Sequence, residues 1–185
     1  PPDSNYTPAL KTTDTSGARR PTRHALATTS EGLATIGAPN WQSAGYRGAG
    51  TRVAVVDLGF DGWDVLPAGE LPDNVETAAF DNDGVLDTGT DHGTQMAEII
   101  HDVAPEAALV LVTFSDAYMA EMVDWLIATD VDVVSMSLEW TEGPLDGTHF
   151  SAPEIERAIN AGITWVVAAG NSAKRHHVGT TVDND

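Results

Sequence analysis

The chain has 185 residues and no cysteine, enough for one domain with its own core and an appended arm, and excluding disulfides, thiolate metal sites and cysteine nucleophiles. Its net charge of −19 is uneven: residues 1–52 hold six Lys/Arg against three Asp/Glu, and residues 53–185 hold three against 25, that is +3 and −22. So acidic a body repels phosphate, so no nucleic acid is expected as a partner, and no apolar run approaches the roughly 20 residues of a membrane-spanning helix, so no membrane is expected.

Residues 1–30 are rich in Pro, Thr, Ser and Asp, with Arg19, Arg20 and Arg23 clustered, and read as an extended N-terminal arm; residues 31–185 read as the domain proper. Pro1 opens the chain without a basic, apolar leader, so any signal peptide or propeptide is expected to have been removed. Pro39, Trp41, Ala44 and Tyr46 suggest a short helix closed by the glycines of 45–50. Residues 53–56, Val-Ala-Val-Val, form a short apolar run of the kind found in a strand covered on both faces, and 75–80 is a weaker strand candidate. Met96, Ile99, Ile100 and Val103 recur at helical spacing over 92–103, and Pro105 stops that helix.

Residues 109–114 are strand. Ser115 or Asp116 then caps a helix with the apolar face Met119, Met122, Val123, Leu126 and Ile127. Residues 131–136 read as strand, Pro153 opens a helix through Ala158 and Ile159, Gly162 ends it, and 163–168 is strand again. Strand and helix alternate, which predicts an α/β fold with a largely parallel sheet and helices on both faces.

In such sheets reactive groups collect beyond the carboxyl ends of the strands. Three polar residues end or follow apolar runs there: Asp57 after 53–56, His92 at a helix start, and Asn171 after Trp165-Val-Val-Ala-Ala-Gly170. A carboxylate that accepts an imidazole N–H fixes the tautomer and lets the histidine act as general base, and an asparagine amide can donate to a developing oxyanion. Asp57 alone would read as a strand-end residue capping a turn, and Asn171 alone as a turn residue; together with His92 they read as acyl-transfer machinery.

These residues sit in Val55-Val56-Asp57-Leu58-Gly59-Phe60, His92-Gly93-Thr94-Gln95-Met96-Ala97 and Ala168-Ala169-Gly170-Asn171-Ser172, which resemble three signature segments of the subtilisin-like serine proteases, the subtilases, in the family's order. A fourth segment, Val133-Val134-Ser135-Met136-Ser137-Leu138, resembles the family strand whose end lines the pocket for the residue before the scissile bond (P1). The resemblance runs from about Trp41 to Asn171. It implies a subtilisin-like fold, Asp57 as the orienting acid, His92 as the base and Asn171 as the oxyanion donor. It also implies that Ser137, Leu138 and Glu139, with Ala168, Ala169 and Gly170, flank the P1 side chain of a polypeptide substrate, with no cofactor required and an extracellular (secreted) location.

The sequence departs from the family twice. Glu139 stands where subtilases usually have glycine; its carboxylate either favours a basic P1 residue or turns to solvent, and solvent is the reading taken here. The family's serine segment lies well downstream of the asparagine, and the chain ends 14 residues after Asn171. Gly179-Thr180-Thr181-Val182 reads as a loop, so the serine is expected on a missing segment or a companion C-terminal chain, with cleavage near Asp183-Asn184-Asp185 as one route to two chains. This chain alone is then expected to be inactive.

Asp81, Asp83 and Asp87 resemble part of a calcium loop but lack the distal glutamate, so calcium is a possible ligand and a solvated acidic turn the plainer reading. No metal ligands are assigned: His101, His149, His176 and His177 read as surface histidines, and the pair 176–177 has no third partner. Leu86-Asp87-Thr88-Gly89-Thr90 mimics an aspartic-protease segment, whose all-β fold this chain does not share. Two rivals stand beside the protease reading: a catalytically dead subtilase-like binding module, and a nucleotide-binding fold, which is poor because Gly48-Ala49-Gly50 precedes the first strand instead of following it. Only two of the nine basic residues are lysine, a composition that fits either a halophilic protein or an acidic secreted one.

Overall fold

A computed structural model describes residues 11–12, 28–140, 143–144 and 147–171 of the chain. Its six-stranded sheet comprises β1 (Lys11–Thr12), β2 (Arg52–Asp57), β3 (Glu76–Phe80), β4 (Ala108–Phe114), β5 (Val133–Met136) and β6 (Thr164–Val167), in the order β1-β3-β4-β2-β5-β6. All neighbouring pairs are parallel except β1, which pairs antiparallel with β3. The helices are α1 (Ala38–Ser43), α2 (His92–Val103), α3 (Met119–Ala128) and α4 (Ala152–Asn160). The predicted elements are all present, with ends shifted by one or two residues.

Strand alternation sorts the core into two layers. Val53, Val55, Leu109 and Leu111 pack on the side that holds Ala97 of α2, together with Phe60 and Leu71. Ala54, Val56, Val110, Val112 and Phe80 face the other way, against Met119, Met122, Val123 and Leu126 of α3 and Ala158 of α4. Strands covered on both faces need continuous apolar runs, which is why 53–56 and 109–112 show no polar alternation. The same parity carries Asp57, two residues beyond Val55, toward the α2 side.

The chain leaves β2 for β3 and β4 on one side, then crosses to β5 on the other. Loops at the carboxyl ends of β2 and β5 therefore part company, and a crevice opens between them.

Two local expectations need correction. Neither Ser115 nor Asp116 caps α3 with its side chain: a 3-10 turn over Asp116–Tyr118 precedes the helix, and Asp116 Oδ1 instead accepts the indole N–H of Trp140 at 3.2 Å. On α2 the buried stripe is Gly93, Thr94 and Ala97, whereas Ile99 is exposed. Small residues face the sheet there because the helix lies close against the end of β2.

Candidate active site

Asp57 ends β2 with only 1% of its surface exposed. Its Oδ1 accepts the backbone N–H of Leu58 at 2.8 Å, and its Oδ2 lies 2.8 Å from Nδ1 of His92. A carboxylate only accepts, so Nδ1 carries the proton and the lone pair of Nε2 is left for other work. The His92 ring is 45% exposed, so one edge is held on a buried anion while the other opens to the cleft.

The geometry depends on two close approaches that only glycine permits. The N–H of Gly93 donates to the carbonyl of Gly59 at 3.0 Å, which ties the first turn of α2 to the loop after β2. A Cβ on Gly59 would lie 2.1 Å from Thr88 Oγ1, whose hydroxyl donates to the carbonyl of Leu58 at 2.5 Å. The segment that mimicked an aspartic protease is thus a brace for the Asp57 loop; Asp61 N–H to the Thr90 carbonyl, at 2.9 Å, completes it.

A cleft of about 640 Å³ gathers the rest. Its lining holds Asp57, His92 and Asn171, and all six residues expected around a substrate side chain: Ser137, Leu138, Glu139, Ala168, Ala169 and Gly170. Leu58 and Thr90 also line it, and sequence reasoning missed both. Thr90 carried a usable signal in its place two residues before His92, where its hydroxyl accepts the His92 N–H at 3.3 Å. The β5 and β6 ends are held in register by the Ala168 N–H, which donates to the Met136 carbonyl at 3.1 Å.

Glu139 does not simply turn to solvent. The residue is exposed, but its Oε1 accepts the backbone N–H of Asn171 at 3.2 Å, and its other oxygen lies over Gly170, 1.8 Å from where a Cβ would stand. One carboxylate therefore spans the two walls of the cleft. Gly170 has φ +84°, a conformation that L side chains rarely adopt, so the crossing uses both the space and the backbone freedom of glycine.

Other expectations fall away from the cleft. His101 is half-buried, with its Nδ1 out of solvent, and burial lowers its pKa against the opposing pull of Asp102 and Glu70. His149 packs tilted against Trp140 and Phe150, ring centroids 5.3 and 4.3 Å away. Asp81 Oδ1 accepts the N–H groups of Asp83 and Gly84 at 3.0 and 2.6 Å, as a turn-capping carboxylate does, and among the described residues no three acidic or histidine side chains converge as metal ligands. His176, His177, the 179–182 segment and the 183–185 cleavage site lie outside the described residues.

A mostly parallel α/β sheet thus sets a buried aspartate on a histidine at its strand ends, in a cleft that an asparagine also lines. The sequence model of the subtilase family matches residues 48–184, and the chain belongs to that family. It is 31% identical over 160 residues to subtilisin from Bacillus pumilus, covering 76% of this chain and 54% of that protein. Subtilisin E from Bacillus subtilis is also 31% identical over 160 residues, covering 76% of this chain and 39% of the relative. The chain thus spans about half the length, or less, of these relatives. The crystal structure of MycP1 from Mycobacterium smegmatis aligns with a TM-score of 0.57 at 20% identity, covering 90% of this chain and 50% of that one, a likeness of fold.

Proposed function

We propose that this chain supplies the acid–base half of a serine endopeptidase, with the nucleophilic serine contributed by a further segment or a companion C-terminal chain. The observation that carries the reading is the 2.8 Å contact between Asp57 Oδ2 and His92 Nδ1 in a cleft that Asn171 also lines. In the proposed reaction the serine hydroxyl adds to the peptide carbonyl as its proton passes to His92 Nε2. Asp57 stabilises the imidazolium through Nδ1–H. The Asn171 amide donates to the oxyanion, the leaving amine takes the proton from His92, and water then releases the acyl group by the same steps. This chemistry calls on no cofactor; calcium at the Asp81 loop would be structural.

The matched share of the relatives supports a segment beyond this chain. So does β6, the outer strand among the described residues, where Val166 and Val167 are about half exposed and a further strand would cover them. Secretion belongs to the same proposal: the relatives include a minor extracellular protease and a major intracellular one.

The test is a fluorophosphonate label on the complete protein, run beside peptide hydrolysis. Labelling that His92→Ala abolishes supports the reading. A complete protein that takes no label and cleaves nothing, yet binds peptides, is instead a subtilase-like binding module without catalysis.

A further inference from the structure

Asn171 sits at the end of a weakly held wall of the cleft. The β6 ladder makes its last backbone bond to β5 at Ala168, and residues 166–169 and Asn171 are all exposed, so burial does little to hold this stretch. Gly170, at φ +84°, adds no side chain to hold it. Beyond Ala168, the hydrogen bond that ties this wall to the opposite one comes from Glu139, whose Oε1 accepts the backbone N–H of Asn171 at 3.2 Å.

The opposite wall is firmer. Glu139 stands between Leu138 and Trp140, and both pack against the apolar layer that contains α3 and Ala158 of α4. The indole N–H of Trp140 also donates to Asp116 Oδ1 at 3.2 Å, which fixes the chain one residue beyond Glu139. The carboxylate therefore reaches from an anchored backbone to a loose one. By holding the peptide nitrogen of Asn171 it fixes the point from which the asparagine side chain departs.

We propose that Glu139 is a positioning residue for Asn171, holding its backbone so that the side-chain amide is aimed at the developing oxyanion. The inference rests on the proposed reading of Asn171 as the oxyanion donor, and it adds what keeps that donor in place. Groups that act on a transition state work only when held in the productive geometry, and a displacement of about 1 Å can cost on the order of 100-fold in rate. The useful property of Glu139 is its reach and its acceptor oxygen. Its charge opposes the oxyanion, because two negative charges repel across a cleft of low dielectric.

Reach and charge separate by substitution in the complete protein. Glu139→Asp keeps the charge and falls one carbon short, whereas Glu139→Gln keeps the length and an acceptor oxygen. The aspartate variant is expected to lower kcat for peptide hydrolysis about ten-fold with little change in KM, and the glutamine variant to lose less. In an Asn171→Ala background the ten-fold loss should disappear, because it passes through the amide already removed. Equal losses in both backgrounds would overturn the proposal. So would a fall in KM with kcat retained, which would mean that the carboxylate obstructs the cleft.

A readout without bond cleavage separates this claim from the reading it rests on. The backbone N–H resonance of Asn171, identified by its loss in Asn171→Ala, is followed by NMR in protein with isotopically labelled asparagine. It is expected to move upfield and to exchange faster with solvent in Glu139→Asp, and to lie closer to wild type in Glu139→Gln. An unmoved resonance overturns the proposal even in a protein that cleaves peptides. A complete protein that cleaves nothing fails the protease reading, and the resonance alone then decides whether Glu139 holds Asn171.

Discussion

Gly93 and Asp57 touch where the first turn of α2 meets the end of β2: a Cβ on Gly93 would lie 2.8 Å from the Cβ of Asp57, and 2.6 Å from both the Gly59 carbonyl oxygen and the Phe60 ring. The backbone and a fully buried ring cannot yield cheaply. Gly93→Ala is therefore expected to push α2 outward and to cost about 1–3 kcal/mol, the usual penalty of overpacking. Thermal unfolding measures the cost. The His92 ring resonances should move as well, and an alanine variant with wild-type melting and unmoved His92 resonances would show that the contact is looser than this geometry.

Asp57→Asn tests the pair itself. The asparagine keeps the shape and the Leu58 contact but can present an N–H to Nδ1, which favours the tautomer with its proton on Nε2. In the complete protein, kcat should fall on the order of 10³- to 10⁴-fold with little change in melting temperature. Full retention of peptide hydrolysis would remove Asp57 from the proposed mechanism.

Gly170 and Glu139 make a second dependent pair. At φ +84° an alanine costs about 1–2 kcal/mol through its backbone alone, while the Glu139 carboxylate, the far end of a flexible side chain, can swing aside. Gly170→Ala is expected to lose that amount in both wild-type and Glu139→Ala backgrounds. Chemical denaturation of the four proteins decides the point: a cost that vanishes without Glu139 would place it in the steric contact instead of the backbone.

The fold was legible because strands buried on both faces must be continuously apolar, and the runs at 53–56 and 109–112 obey that rule. The meeting of Asp57, His92 and Asn171 was legible from strand-end position and from the segments around them, and the structure places all three on one cleft. Contacts set by side-chain choice in three dimensions were not. Nothing in the order Ser137-Leu138-Glu139 tells that its carboxylate reaches a backbone N–H 32 residues on, because that depends on β5 and β6 being neighbours. Periodicity gave α2 an apolar stripe through Ile99, yet the close approach at Gly93 rotates the buried face to Thr94 and Ala97. His101 looked like a surface residue because one-dimensional spacing does not show how deep its ring nitrogen lies.

His101 makes stability depend on pH with a defined sign. Burial holds its pKa below the ordinary value, with the charges of Asp102 and Glu70 opposing that shift. An unfolded chain therefore takes up the proton first, near pH 6.5, and stability is lost as pH falls from about 6.5 through the lower folded value. Glu98 acts the other way: burial first, then the charges of Glu70, Asp102 and Asp91, raise its pKa, so its protonation favours the folded state as pH drops toward the carboxylate range. Melting temperatures from pH 7.5 down to 5 should fall in the wild type and flatten in His101→Gln; identical slopes would assign the loss to other groups.

The charge of −22 on residues 53–185 sets the response to salt. With 25 acidic groups against three basic ones, repulsion among carboxylates opposes compaction wherever they are not paired, as Glu76 is by Arg52 at 2.6 Å. The Debye length shrinks from about 10 Å at 0.1 M to about 3 Å at 1 M, so salt screens that repulsion more than it weakens the few ion pairs. Melting temperature is expected to rise as sodium chloride is added to a low-salt solution. Because non-specific screening saturates as the Debye length nears the size of an ion, a rise confined to the first few hundred millimolar means ordinary acidic self-repulsion, whereas a continuing rise into the molar range means a surface suited to high salt. A melting temperature indifferent to salt would show that these carboxylates stand too far apart to strain the fold.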